Sequence, residues 1–317
     1  MRKVINRLGQ ALSSASGSGA LASYGAAAGP IVIGALGGSG TRAIAEVLRR
    51  LGVYLGSALN ESHDNLWFTL LCKRPRWLPD QLCGPRPSPS IMDALEVLAT
   101  MMQGRSLQHS QLVFLAQAAA DMAADGHDHH SHLSGELGFE LAADYLAGRS
   151  RPLAAKAVPW GWKEPNSHLV LPELIECFPG LRYVHLVRHP LDMAFSSNTS
   201  QLQTWGHHLG LAIPENATDI PNAQLRWWIE TTKMAIESGR ALGERFRLLL
   251  FDEVCSSPRS SVKSLAAWCE IEVDPATIDH AASAIQTPAS AGRWHRQGNS
   301  VLDPALLKEV RNLGFPL

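Results

Sequence analysis

Gly29-Pro30-Ile31-Val32-Ile33-Gly34-Ala35-Leu36-Gly37-Gly38-Ser39-Gly40-Thr41-Arg42, continued by Ala43-Ile44-Ala45-Glu46-Val47-Leu48, decides how this chain is read. A short apolar run ends on small residues and passes at once into a helix-forming segment. That is the order of a buried strand, a tight glycine loop and the first turn of a helix. Glycine lets the backbone turn sharply and approach a ligand with no Cβ in the way. The N–H groups and positive dipole end of the new helix then favour a phosphate in the loop. Ser39 and Thr41 add hydroxyl donors, and Arg42 adds a fixed cation. Gly37, Gly38, Ser39, Gly40, Thr41 and Arg42 are therefore candidate phosphate-binding residues. The plainer reading is a glycine turn that only packs a helix on a strand.

The loop is not a Walker A motif, which needs Gly-Lys-Ser/Thr; here Gly40-Thr41 is followed by Arg42. An ATP or GTP phosphotransferase is disfavoured on that ground. With 317 residues, 45% hydrophobic and 18% charged, the chain suits a globular enzyme of one large α/β domain or two small ones. A formal net charge of −1 supplies no global field for nucleic acid or an anionic membrane, so any anion site is local. The five cysteines, Cys72, Cys83, Cys177, Cys255 and Cys269, are odd in number and irregularly spaced. They argue against a disulfide framework or zinc knuckle and for a reducing, cytoplasmic setting. No apolar run approaches the roughly 20 residues of a membrane span. Residues 1–29 are rich in Ala, Gly and Ser, carry Arg2, Lys3 and Arg7, and hold no acidic residue. They read as a flexible leader to a domain over 30–317.

Beyond the first helix, Val53-Tyr54-Leu55 reads as a short second strand and Ser57 to Asn65 as its polar exit. In open α/β sheets the carboxyl ends of strands face the ligand crevice, which makes Glu61, His63 and Asp64 candidates for chemistry. The plainer reading is a surface turn with Asp64 capping a helix from Leu66. Residues 66–155 break the alternation with Pro75, Pro79, Pro85, Pro87 and Pro89, then two amphipathic patterns, 91–102 and 111–124. The block reads as a helical insertion or lid. It contains His127, His129, His130 and His132, without helical ligand spacing, and no metal site is assigned.

Regular alternation resumes with Trp160-Gly161-Trp162-Lys163-Glu164-Pro165, a strand closed by proline. Lys163 stands at its end in a semi-apolar setting. Leu181 to Val187 is the next strand, and Arg188-His189-Pro190 turns into a helix with proline at its first position. Arg188, Asp192 and Ser196 are four apart, so they share one face of that helix and its entry, a second candidate anion site. The plainer reading pairs Arg188 with Asp192 as a structural salt bridge. A helix from 224 to 242 holds Trp227 and Trp228, Arg245 to Phe251 reads as a buried strand, and Gly292-Arg293-Trp294-His295-Arg296-Gln297-Gly298 reads as a flexible basic loop. The sum is a three-layer α/β fold, a central, mostly parallel sheet with flanking helices plus the helical insertion.

These segments together resemble the PAPS-dependent sulfotransferases over residues 30–61 and 156–300, PAPS being 3′-phosphoadenosine 5′-phosphosulfate. The resemblance implies the P-loop NTPase-like fold of that family. Gly37 to Arg42 is similar to its phosphosulfate loop, and Arg188 followed eight positions on by Ser196 to its 3′-phosphate element. Arg293, Trp294 and Arg296 resemble the C-terminal segment that covers the nucleotide. Many members carry a lysine where this chain has Gly38. Lys163 of Lys163-Glu164-Pro165 resembles the lysine at the reaction centre of heparan-type and Golgi members, and Arg42 is the other candidate replacement. The family then implies transfer of a sulfuryl group from PAPS to a hydroxyl or amine of a small-molecule or carbohydrate acceptor. Glu61 would be the base, His63 its reserve, and no metal would be required. Two other classes remain, a non-catalytic nucleotide-binding protein of the same fold and, further off, a nucleotide kinase.

Overall fold

The computed structural model describes residues 29–124, 135–146, 159–297 and 301–317. The expected leader up to residue 28 and the histidines at 127–132 lie outside them. In chain order the elements are β1 (Ile31–Ala35), α1 (Thr41–Arg50), α2 (Leu66–Cys72), α3 (Trp77–Leu82), α4 (Pro89–Met102), α5 (His109–Ala124), α6 (Gly135–Leu146), β2 (Gly161–Lys163) and α7 (Leu171–Cys177). They continue with β3 (Arg182–Val187), α8 (Pro190–Ala194), α9 (Ser200–Trp205), α10 (Ile220–Gly239), β4 (Phe246–Leu250), α11 (Phe251–Ser256), α12 (Pro258–Trp268), α13 (Pro275–Ala282), α14 (Arg293–Gln297) and α15 (Pro304–Asn312). Contacts divide the described chain into two compact units. One holds residues 29–30, 54–164 and 172–181, the other residues 31–53, 165–171 and 182–317.

The second unit carries the parallel sheet. β1 pairs with β3, Ile31 opposite Arg182 through Ala35 opposite Leu186, and β3 pairs with β4, Tyr183 opposite Phe246 through Val187 opposite Leu250. Every residue of β1 is buried, the unbroken apolar run expected of a strand covered on both faces. A Cβ at Gly34 would collide with the Tyr183 phenol, so glycine in mid-strand makes room for a cross-strand ring. Helix α1 packs against α13, and α13 against α12; α10 packs against β3, α8 and α15. This is the three-layer α/β arrangement that the alternation of apolar runs and amphipathic segments predicts.

The first unit is built mainly of helices. Leu70, Leu71, Leu95, Leu98, Leu115 and Ala119 are fully buried, the apolar stripes of α2, α4 and α5. Glu173 on α7 is fully buried and grips Arg86 through two bonds of 2.5 Å while accepting the Ser88 N–H at 2.8 Å, which pins the proline-rich approach to α4. The strand expected at Val53 to Leu55 is reduced to one parallel bridge, Tyr54 to Trp160. Helix α2 is capped by Asn65, whose side chain accepts the Phe68 N–H at 2.9 Å, and not by Asp64. Among the described residues no helix is long and apolar enough to cross a membrane.

Candidate active site

The three strand ends of the second unit finish together, because parallel pairing puts Ala35, Val187 and Leu250 at the same edge. Ala35 leads into the glycine loop. Gly38 has φ +92° and Gly40 φ +94°, left-handed values that favour glycine. An added Cβ at Gly40 would lie 2.6 Å from the Phe251 ring at the exit of β4, so the loop closes tightly on the neighbouring tip. Gly38 is exposed, and an added Cβ would meet only Met193 Cε at 3.9 Å, but a lysine there would carry the strain of the positive φ. Helix α1 starts at Thr41 with no side-chain cap and no acidic residue in its first turn, which leaves its N-terminal dipole end uncompensated. Ser39 is buried, and its Oγ has no hydrogen-bond partner among the described residues.

Arg188 follows the end of β3. It is 3% exposed, donates from Nη2 to Asp192 Oδ2 at 3.0 Å and from Nη1 to Ser290 Oγ at 3.1 Å, and its buried Nε has no partner among the described residues. The salt bridge of the plainer reading therefore exists, and it leaves the buried Nε–H of the guanidinium without a partner among the described residues. Asp192 also accepts the N–H groups of Gly292 at 2.9 Å and Trp294 at 3.4 Å, which fastens the start of α14 to α8. The Trp294 ring stacks on His189 with centroids 5.3 Å apart and planes 6° from parallel. The His189 N–H donates to Asp252 Oδ2 at 2.8 Å, so the β3 and β4 tips are tied. Burial first, then the like charge of Arg188, depresses the Arg293 guanidinium below the usual arginine range.

Two local expectations are corrected at this tip. Helix α8 stops at Ala194, so Ser196 lies beyond it and not on a continuous helical face with Arg188. Phe195 closes the helix at φ −94°, ψ 19°, and the distant Gln224 of α10 donates to the Ala194 and Ser196 carbonyls at 3.1 and 2.7 Å. Ser196 is half-buried and its Oγ accepts the Asn198 N–H at 3.2 Å. The basic segment read as a flexible loop is helical over Arg293–Gln297, with Arg293 and Trp294 half-buried and Arg296 exposed.

The remaining candidates lie in the first unit. Lys163 ends β2, 2% exposed, and donates from Nζ to Asp64 Oδ1 at 2.5 Å and to the Ser62 carbonyl at 3.1 Å. Asn60 builds the turn that supplies both acceptors. Its Oδ1 takes the N–H groups of Ser62 and Asp64 at 2.9 and 2.8 Å, and its Nδ2 donates to Asp64 Oδ2 at 2.9 Å. His63 sits in this turn at φ +62°, and Glu61 is exposed. The adjacent Glu164 is buried and paired with Lys73 at 3.2 Å. The fold thus joins Lys163 to Asp64, which the sequence had offered as a helix cap. Among the described residues no group of three or more His, Cys, Asp or Glu is placed to hold a metal ion.

A three-layer α/β protein with an uncapped helix start after a glycine loop, and a buried arginine following the neighbouring parallel strand, has the layout in which anionic groups can bind at strand ends. The class narrows by comparison: the model of the sulfotransferase family matches residues 30–275, and the chain belongs to that family. Its structure is similar to the sulfotransferase domain from the curacin biosynthetic pathway, at 15% identity and TM-score 0.50, over 92% of this chain and 99% of that one. It is also similar to sulfotransferase STF9 from Mycobacterium avium, at 13% identity and TM-score 0.44, over 100% of this chain and 85% of the other. The sulfotransferase domain of the Synechococcus PCC 7002 olefin synthase gives 14% identity and TM-score 0.40 over 95% and 94%. At these identities the likeness concerns the fold. No curated protein matches the chain by sequence.

Proposed function

We propose that this sulfotransferase uses PAPS as donor and moves its sulfuryl group to a hydroxyl or amine of a small-molecule or carbohydrate acceptor. The observation that supports this reading most is the parallel register of β1 and β3, which sets the glycine loop and Arg188 at adjacent tips of one sheet. The partnerless Oγ of Ser39 and Nε of Arg188, both buried, are donors that the two ends of an adenosine bisphosphate would satisfy. The residues present therefore fit the group.

PAPS supplies an activated sulfuryl group on a good leaving phosphate, and the protein's part is positioning and charge stabilisation. Gly37, Gly38, Ser39, Gly40, Thr41 and Arg42 hold the 5′ end. Arg188 and Ser196 hold the 3′ phosphate, and Arg293, Trp294 and Arg296 cover the nucleotide. Lys163 supplies the cation that Gly38 does not, with Arg42 the alternative. Glu61 takes the acceptor's proton, with His63 in reserve. The helical insertion over 66–155 shapes the acceptor site.

The absent loop lysine favours a second reading, a protein that binds the nucleotide without turnover. Titration calorimetry with adenosine 3′,5′-bisphosphate in the presence of a chelator, followed by transfer from ³⁵S-labelled PAPS to a panel of hydroxyl and amine acceptors, tests both. Saturable binding with transfer is expected. Binding with no transfer to any acceptor selects the second reading, and loss of binding with the chelator points to a metal-dependent kinase. No binding at all refutes the assignment.

A further inference from the structure

The side chain of Gln201 on α9 joins parts of the second unit that the sequence keeps far apart. Its Oε1 accepts the Gly37 N–H at 2.6 Å, across 164 positions, and its Nε2 donates to Asn166 Oδ1 at 2.5 Å, across 35. Asn166 is 3% exposed, in the turn of 3₁₀ helix directly after Lys163-Glu164-Pro165. Gly37 is the first residue of the glycine loop, and a Cβ there would lie 3.2 Å from Asn198 Nδ2 and 3.6 Å from Gln201 Oε1. The loop thus leans on two side-chain carboxamides, which line a small cavity together with Leu36, Met193 and Trp227.

This contact decides which loop donors an anion meets. Gly37 N–H is committed to Gln201, and Ser39 N–H to the Leu36 carbonyl at 3.2 Å. Those of Gly38, Gly40 and Thr41 have no such acceptor among the described residues and are left for the ligand. The acceptor on Gly37 is also neutral. A carboxylate there would set a negative charge beside a pocket for phosphate, whereas an amide oxygen satisfies the N–H without that repulsion. An amide can in addition accept and donate at once, which the double contact requires.

Resting on the reading of the glycine loop as the pocket for the nucleotide's 5′ end, we propose that Gln201 is a positioning residue that sets this loop for its anion. It acts through Gly37 and touches no reacting atom. The test compares two nucleotides by titration calorimetry. In Gln201→Met, of similar length but without amide bonds, binding of adenosine 3′,5′-bisphosphate weakens about tenfold, while adenosine 3′-monophosphate, which lacks the 5′ group, binds as in the unaltered protein. Equal losses for both nucleotides, or none for either, overturn the proposal. Should Gln201→Met fail to fold, Asn166→Ala removes the far anchor. It weakens the bisphosphate about threefold and spares the monophosphate, and unchanged bisphosphate affinity overturns the proposal as well. If the unaltered protein binds no bisphosphate, the reading of the loop falls and the proposal with it. If it binds and the variants match it, the proposal alone falls.

Discussion

Replacing Arg188 by Gln separates a structural salt bridge from an anion site, because the two roles respond differently to a second change. Arg188 and Asp192 are both almost fully buried and 3.0 Å apart. Removing one partner of such a pair leaves the other as an uncompensated buried charge and costs about 3–5 kcal/mol. That is a large part of the roughly 5–15 kcal/mol by which a domain is stable. The abandoned Asp192 keeps the N–H groups of Gly292 and Trp294, which places the loss at the lower end of that range. Arg188→Gln/Asp192→Asn removes both charges and recovers most of the stability, as urea titration at pH 7.5 will read. Binding behaves otherwise. One charge-assisted hydrogen bond to phosphate contributes about 1.5–3 kcal/mol, or about 10- to 150-fold in Kd. The double variant is therefore folded yet binds adenosine 3′,5′-bisphosphate at least tenfold more weakly. A folded double variant that binds within twofold of the unaltered protein would reduce Arg188 to a structural partner and remove the second pocket.

Three further outcomes are expected. Lys163→Ala and Glu61→Gln each lower sulfuryl transfer on the order of 10²–10³-fold while the bisphosphate still binds, and near-normal turnover in either removes that residue from the mechanism. Gly40→Ala combines a φ of +94° with a Cβ 2.6 Å from the Phe251 ring. It destabilises by about 1–2 kcal/mol from the backbone alone, read as a lower Tm, and adding Phe251→Leu relieves only the clash; an unchanged Tm for Gly40→Ala contradicts the tight closure of the loop. Burial holds His168 near a pKa of about 4 and His185 near about 3, both below the usual 6.5. Above 6.5 both are neutral folded or unfolded, and as pH falls only the unfolded chain takes up the protons, so stability is lost downward from 6.5. By pH 5 each histidine costs about 2 kcal/mol, and urea midpoints equal at pH 7.5 and 5 would refute it.

The core of the fold was legible because its causes act over short windows. An unbroken apolar run, four small residues and a helix-forming stretch specify β1, the loop and α1 through burial and backbone freedom alone, and each appears where expected. β3 with its Pro190 helix start, the tryptophans of α10 and the helices over 91–102 and 111–124 follow from the same local rules. Where local rules failed, a distant contact had outvoted them. Helix α8 ends early where Gln224, some 30 residues away, takes the carbonyls beyond it.

The candidate residues were readable as types, but not their partners. Lys163 is bonded to Asp64 across 99 positions, Arg188 to Ser290 across 102, Asp192 to Gly292 across 100 and Gln201 to Gly37 across 164. No periodicity or spacing marks such pairs, because they depend on which strand ends and helices the packed chain brings side by side. The chain's local chemistry made an α/β protein with a glycine loop between its first strand and first helix legible residue by residue. Which cation is neutralised, which amide holds the loop and which donor is left over are set by long-range packing, since hydrogen bonds and charges act through space and not along the chain.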